Sequence, residues 1–288
     1  MIPASFDYHA PHTLREAAAL LRKYPGDARL VAGGQSLVPM MKLRLANPEH
    51  LVDLQHVPGL SEISESNGSL VLGAMATYRA IESSALVARR LPVLSDAMRL
   101  IADLQVRNRG TIGGSLAHAD PGADLPALMV ALEARIRTVG GRHPNGIAAE
   151  RFFVDAFTTV LGPSEVLSEV RIPLLPAGTG ASYEKFANSA SRFAIVGVAA
   201  VVGLDSQGRC ERVRIGVTGA GPRAVRAKAA ERYLEGREPT PAHIEAAAQR
   251  AGGRMEFIGD VHGSPEYREH LVAPMTRDAL TSALATTS

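Results

Sequence analysis

Two short segments carry residue types and spacing suited to ligand chemistry: Ala32-Gly33-Gly34-Gln35-Ser36-Leu37 and Thr111-Ile112-Gly113-Gly114-Ser115. Each sets a glycine pair just ahead of a small hydroxyl residue. A glycine pair lets the backbone enter left-handed conformations and approach a ligand closely, so successive N–H groups can point at an anionic pyrophosphate without help from Lys or Arg. Two such segments can clamp one dinucleotide. Each pair alone is also what a tight turn requires, and Gly140-Gly141 and Gly252-Gly253 read that way. The pairing, with a strand before the first segment and a capped helix after the second, favours the clamp. Neither segment fits GxGxxG and the chain contains no GxxxxGK[ST], so neither a Rossmann site nor a P-loop is supported.

Other reactive side chains form no catalytic set. Gly113 to Ala117 approaches GxSxG, with His118 and Asp120 nearby, but a nucleophile elbow needs a strand directly before the serine and a histidine remote from it. A polar, arginine-rich stretch precedes Ser115 instead, and His118 follows too closely. His118 and Asp120 lack a third metal-ligand candidate, so no metal is assigned. Without further information Lys185, between Tyr183 and Phe186, reads as a surface lysine with a buried stem. Phe193 reads as core and Cys210 as a small filler residue. No catalytic residue is assigned.

The elements that must position these groups follow from local patterns. Thr13 and Glu16 form a capping box that opens a helix with Leu14, Ala17, Leu20, Leu21 and Tyr24 on one face; Pro25-Gly26 ends it. Arg29 to Ala32 is a strand that runs into Gly33-Gly34, and Ser36 with Pro39 begins a helical turn. His50 to Leu54 is a further strand. Leu60 to Ile63 and Ser69 to Leu72 flank the hairpin signal Asn67-Gly68. A helix covers Leu91 to Ile101, and residues 105 to 115 are expected as a long functional loop. Asp124 is expected to cap a helix from Leu125 to Leu132, followed by strands at Ala134 to Val139 and Val166 to Ile172. Pro173, Pro176, Gly178 and Gly180 mark a domain boundary near residue 177. Beyond it Ser182 to Phe186, Ala194 to Gly203 and Arg212 to Thr218 form an antiparallel meander. Helices follow at Val225 to Leu234, Pro241 to Ala251 and Pro265 to Leu284, the last interrupted by Pro274. Strands grouped before helices make this half α+β.

Composition narrows the partners. Thirty-one Lys and Arg against 29 Asp and Glu leave a formal charge of +2, and no run of like charges suggests nucleic acid or anionic membrane. The longest uncharged apolar stretch, Phe193 to Leu204, falls far short of the roughly 20 residues of a membrane span. Met1 to Ala10 has no signal-peptide pattern, so a cytoplasmic location is expected. One cysteine, Cys210, can neither form an internal disulfide nor ligate an iron–sulfur cluster. Any such cluster must belong to another chain.

Extended to Ala32 through Arg44, and to Gln105 through Ser115 and on through Asp120 to Ala127, the two segments are recognisable. The sequence resembles the FAD-binding medium subunits of carbon monoxide dehydrogenase and related molybdenum hydroxylases, the counterpart of the central domain of xanthine oxidase. The likeness runs nearly end to end and includes Phe6-Asp7-Tyr8, Arg171-Ile172-Pro173 and Glu266-Tyr267-Arg268. It implies an α+β fold: a two-part FAD-binding domain of the vanillyl-alcohol oxidase (PCMH) type over residues 1–177, with parts of about 1–57 and 58–177, and a smaller domain of antiparallel sheet plus helices over 178–288. It also implies an electron-transfer role. A large subunit holding the molybdenum cofactor oxidises the substrate, a small subunit passes electrons through two [2Fe–2S] clusters, and non-covalent FAD on this chain delivers them to an external acceptor, in a dimer of heterotrimers.

By position, the resemblance assigns Ala32, Gly33, Gly34, Gln35 and Ser36, with Thr111, Ile112, Gly113, Gly114 and Ser115, to the pyrophosphate, and Leu37 to the FAD site. Asp124 contacts the FAD, Leu167 lines its site, and Lys185 and Phe193 approach the isoalloxazine. Gln35 stands where His is common, Ser115 where Asn is common, and Phe193 where the carbon monoxide dehydrogenases have Tyr. The branch with an extra cluster in its flavin subunit does not fit a chain with one cysteine. Two other readings are a stand-alone FAD-dependent oxidoreductase with its own substrate site and a flavin-folded subunit with a structural role only.

Overall fold

A computed structural model describes residues 2–287 except 142 and 144; the expected outer limits of the two domains, Met1 and Ser288, lie outside the described residues. The chain opens with β1 (Asp7–His9), α1 (Leu14–Lys23), β2 (Ala28–Val31), α2 (Leu37–Lys42) and β3 (His50–Asp53). The three strands form a parallel sheet in the order β1-β3-β2. Thr13 caps α1, its hydroxyl accepting from the Glu16 N–H, while the Glu16 carboxylate accepts from the N–H of His12 rather than of Thr13. The buried Ala17, Ala18 and Leu21 of α1 pack with Ala28, Val52 and Leu54.

Next come β4 (Ile63–Ser66), β5 (Ser69–Gly73) and a run of short helices: α3 (Tyr78–Ser83), α4 (Ala85–Arg90), α5 (Pro92–Leu100), α6 (Leu104–Arg109), α7 (Ile112–His118) and α8 (Asp124–Ala131). After them stand β6 (Arg135–Val139), β7 (Ile147–Ala148), α9 (Ala149–Phe152), β8 (Phe153–Asp155), β9 (Thr158–Thr159) and β10 (Val166–Pro173). A five-stranded sheet runs β4-β5-β10-β6-β7, and β8 pairs with β9. Asn67 and Gly68 both have positive φ, the two-residue turn expected of Asn-Gly. The first hairpin strand lies at 63–66 rather than 60–63.

The last third is β11 (Thr179–Ala187), β12 (Ala194–Leu204), β13 (Cys210–Thr218), β14 (Val225–Arg226), α10 (Lys228–Leu234), α11 (Pro241–Ala248) and α12 (Pro265–Ala285). The four strands form an antiparallel meander. Both faces of this sheet are covered. Val196, Val198, Ala200 and Val202 of β12 pack with α10–α12, while Ala199 and Val201 join the core of the first domain around α8. Burial on both faces explains the continuous apolar run of β12.

Four expectations need correction. Residues 105 to 115 are not a long loop: α6 and α7 occupy most of them, capped by Asp103 and Thr111. Asp124 is not a cap; Ala123 holds that position, and Asp124 is the first residue inside α8, with its side chain turned to β11. The helix expected from Val225 starts only at Lys228, because Val225 and Arg226 extend the sheet against Val217 and Gly216. Pro274 does not interrupt α12. The helix continues through it, with Val272 and Thr276 buried on either side. Among the described residues no helix is long and apolar enough to cross a membrane.

Candidate functional site

The first glycine segment links β2 to α2. Gly34 has φ +73°, a left-handed conformation costly to an L-residue. Among the described residues the N–H groups of Gly33, Gly34, Gln35 and Ser36 find no protein acceptor, and the Ser36 hydroxyl makes no capping bond. Four successive donors without protein acceptors around one left-handed residue are what an anion-binding nest requires. Gln35 folds back, its amide donating to the Gly33 carbonyl at 3.3 Å.

The second segment works differently. It is the first turn of α7, and its N–H groups are already satisfied: Ile112 donates to the Ala76 carbonyl, Gly113 to that of Ala74 and Ser115 to that of Thr111, while Gly114 donates to the Thr111 hydroxyl at 3.1 Å. This corrects the expectation that both segments offer N–H donors. The second supplies closeness instead. A β-carbon on Gly33 would overlap the Arg109 carbonyl oxygen, and one on Gly114 would lie 3.7 Å from the Ala32 β-carbon. The two glycine pairs therefore face each other across one short gap.

Asp124 projects from the start of α8 toward β11 and is 5% exposed. Its Oδ1 accepts from the Tyr183 hydroxyl at 2.6 Å and from Lys185 Nζ at 2.9 Å. Lys185 is no surface lysine: its side chain is 3% exposed, and Nζ also donates to the Leu100 carbonyl at 2.9 Å. Burial pushes the Asp124 carboxyl up, the Lys185 charge and the Tyr183 hydroxyl pull against it, and the carboxyl stays above its ordinary range. Burial, then the Asp124 charge, holds the Tyr183 hydroxyl well above its own range and keeps it a donor.

These groups surround a cavity of about 800 Å³, within the range of roughly 300–1,000 Å³ usual for cofactor pockets. Thirteen of the fifteen expected residues line it: 32 through 37, Thr111, Gly113, Gly114, Ser115, Asp124, Leu167 and Phe193. Phe193 is 49% exposed at the mouth rather than buried in the core. Ile112 is fully buried and packs into the core of the first domain, and Lys185 meets the cavity only through Asp124. The sequence reading passed over Tyr78, which lines the wall, and Tyr183. Period-two alternation, which puts 183 and 185 on one face of β11, was the available signal for the latter.

The remaining candidates form no reactive set, although His118 and Asp120 also line the cavity. Asp120 accepts from the Gly122 N–H at 2.9 Å, and the His118 ring packs on Phe157 with centroids 5.1 Å apart. No group of three metal-ligand side chains occurs among the described residues. Cys210 is buried at the start of β13 in the four-stranded sheet, its thiol pushed up to about 11 by burial. The nest, the close glycine wall and the cavity size all suit a flavin dinucleotide.

Comparison with known proteins agrees with that geometry. The family described as the FAD binding domain in molybdopterin dehydrogenase matches residues 4–175, and the CO dehydrogenase flavoprotein C-terminal domain matches 181–283. The carbon monoxide dehydrogenase medium chain of Hydrogenophaga pseudoflava is 42% identical over 99% of each chain. The 6-hydroxypseudooxynicotine dehydrogenase complex subunit alpha of Paenarthrobacter nicotinovorans is 39% identical over 99% of this chain and 96% of its own. A solved carbon monoxide dehydrogenase from H. pseudoflava, lacking the Mo-pyranopterin moiety of its molybdenum cofactor, matches with a TM-score of 0.95 at 44% identity over 100% of both chains.

Proposed function

The chain belongs to the family of FAD-binding medium subunits of molybdopterin dehydrogenases, and from that membership we propose that it holds one non-covalent FAD and relays electrons within a molybdenum hydroxylase complex. The single observation that carries the reading is the cavity where the Gly33–Ser36 nest meets the glycine wall of α7. The N–H groups of 33–36 and the Ser36 hydroxyl would hold the pyrophosphate, with Ala32 and Leu37 flanking them. Thr111, Gly113, Gly114 and Ser115 would form the opposing wall, and Ile112 would act only by anchoring it. Asp124, Leu167 and Phe193 would border the redox end, with Lys185 acting through Asp124. When bound, FAD supplies a carrier that exchanges electrons singly or in pairs.

The domain division follows the same reading: an FAD-binding domain over 1–177, in parts of about 1–57 and 58–177, and a C-terminal domain over 178–288. Partners are a small subunit with [2Fe–2S] clusters and a large subunit with the molybdenum cofactor, assembled as a dimer of heterotrimers in the cytoplasm. A chain with one buried cysteine needs the clusters to come from elsewhere.

The purified chain is expected to be yellow and to release its flavin into the supernatant on acid precipitation. Colour staying with the precipitate contradicts non-covalent binding, and failure to reconstitute with FAD contradicts the site. Under anaerobic conditions substrate is expected to bleach the flavin only after the partner subunits are added. Rapid bleaching of the isolated chain by an organic substrate would instead identify a stand-alone oxidoreductase.

A further inference from the structure

Tyr183 lies on β11 in the C-terminal half yet reaches the cofactor wall of the other domain, and the residue is 8% exposed. Its hydroxyl and Lys185 Nζ converge on the same Asp124 oxygen, at 2.6 and 2.9 Å. The hydroxyl fits only because of the neighbouring strand: residue 197 stands opposite Lys185 in the β11–β12 register, and a β-carbon on Gly197 would overlap the Tyr183 oxygen. We propose that Tyr183 is a positioning residue that holds the Asp124 carboxylate against Lys185, in space left by Gly197, and so fixes the charge this wall presents to the redox group. The proposal rests on the FAD reading above.

The titratable groups facing Asp124 are Tyr183 and Lys185 from β11 and Tyr78 from α3. With Asp124 ionised beside a lysine cation, the wall is neutral. With Asp124 protonated by a solvent proton, it carries one positive charge, which favours the extra negative charge of a reduced flavin. Burial drives toward the protonated form, and Tyr183, by donating to the carboxylate, opposes it. Removing the hydroxyl raises the pH at which Asp124 takes up its proton.

The test is a potentiometric titration of the full, FAD-loaded chain against pH, for the parent, Tyr183→Phe and Gly197→Ala. At high pH, where Asp124 is ionised throughout, the three potentials are expected to coincide. As pH falls, Tyr183→Phe should shift to more positive potential before the parent does, and Gly197→Ala should follow it. Adding Tyr183→Phe to Asp124→Asn should change nothing further. Superimposable profiles for parent and Tyr183→Phe overturn the proposal, even with a lowered melting temperature, because that combination marks packing alone. A parent chain that retains no FAD overturns the functional reading before any variant is compared.

Discussion

A carboxylate and an amine buried together can be tested by removing either one. Lys185→Met leaves Asp124 without its cation, and breaking a buried pair costs about 3 kcal/mol or more near neutral pH. Asp124 already sits above its ordinary range, so the folded variant binds a proton more readily than the unfolded chain and gains stability as pH falls. The melting-temperature gap between parent and Lys185→Met should therefore narrow on acidification; a gap that stays constant with pH would show that Lys185 does not answer Asp124. At Gly34 the constraint is conformational. A side chain at φ +73° costs about 1–2 kcal/mol, and Gly34→Val should lower FAD affinity at least tenfold by fluorescence titration. Gly252→Ala, whose β-carbon meets only Phe257 at 3.5 Å, is the suitable control. Gly141 is not, since a β-carbon there would overlap the Glu165 carboxylate, and Glu165 itself lines the cavity. The glycine pairs could be read in advance because their residue type is itself the signal. Lys185 was misread because its burial depends on Asp124, which is 61 positions away and on another element.

Among the elements, α7 shows what local reading loses. Gly113 and Gly114 suggested a loop, since glycine is a poor helix former. Tertiary packing outweighs that preference: Gly113 lets the helix start lie against Ala74, and Thr111 caps it. Thr111→Ala should cost about 1 kcal/mol and weaken FAD binding, while Thr111→Ser should restore both; full affinity in the alanine variant would remove the cap from any role in the site. Pro274 is the opposite case. Proline lacks an N–H and crowds the preceding turn, so a break in α12 was expected, but packing on both sides of it holds the helix together. Pro274→Ala should raise thermal stability by about 1 kcal/mol or more with FAD affinity unchanged, read by calorimetry and flavin titration. The Thr13 cap, the Asn-Gly hairpin and the long β12 were legible because their determinants are contiguous. β1, β7 and α9 were not, because two to four residues carry too little pattern.

Across the whole molecule the two domains are joined by charge as well as by apolar contact. Glu133, just after α8, pairs with Arg212 and Arg214 of β13. Burial alone would push its carboxyl up, but the Arg214 and Arg212 guanidiniums hold it below the ordinary range. Stability from this link is present above the usual carboxylate range and is lost as pH falls through the lowered value. Glu133→Gln should cost about 1 kcal/mol at neutral pH, since the partly exposed pairs are screened by solvent, and the difference from the parent should vanish in acid melts. A difference that persists there would assign the loss to shape rather than charge. β11 joins the same two halves by geometry: Tyr183 and Lys185 reach Asp124 in the cavity wall, while Ser182 donates to the Ala279 carbonyl and Glu184 accepts from Ser282, both on α12. The strand thus serves two clients with alternate residues, which sets where the gene tolerates changes of length. One codon inserted between 182 and 183 would turn Lys185 toward α12 and Glu184 toward the face that meets Asp124. One inserted in the Asp205–Gly208 turn would be absorbed by solvent. Length variation among descendants of this chain should accumulate at that turn and stay out of β11.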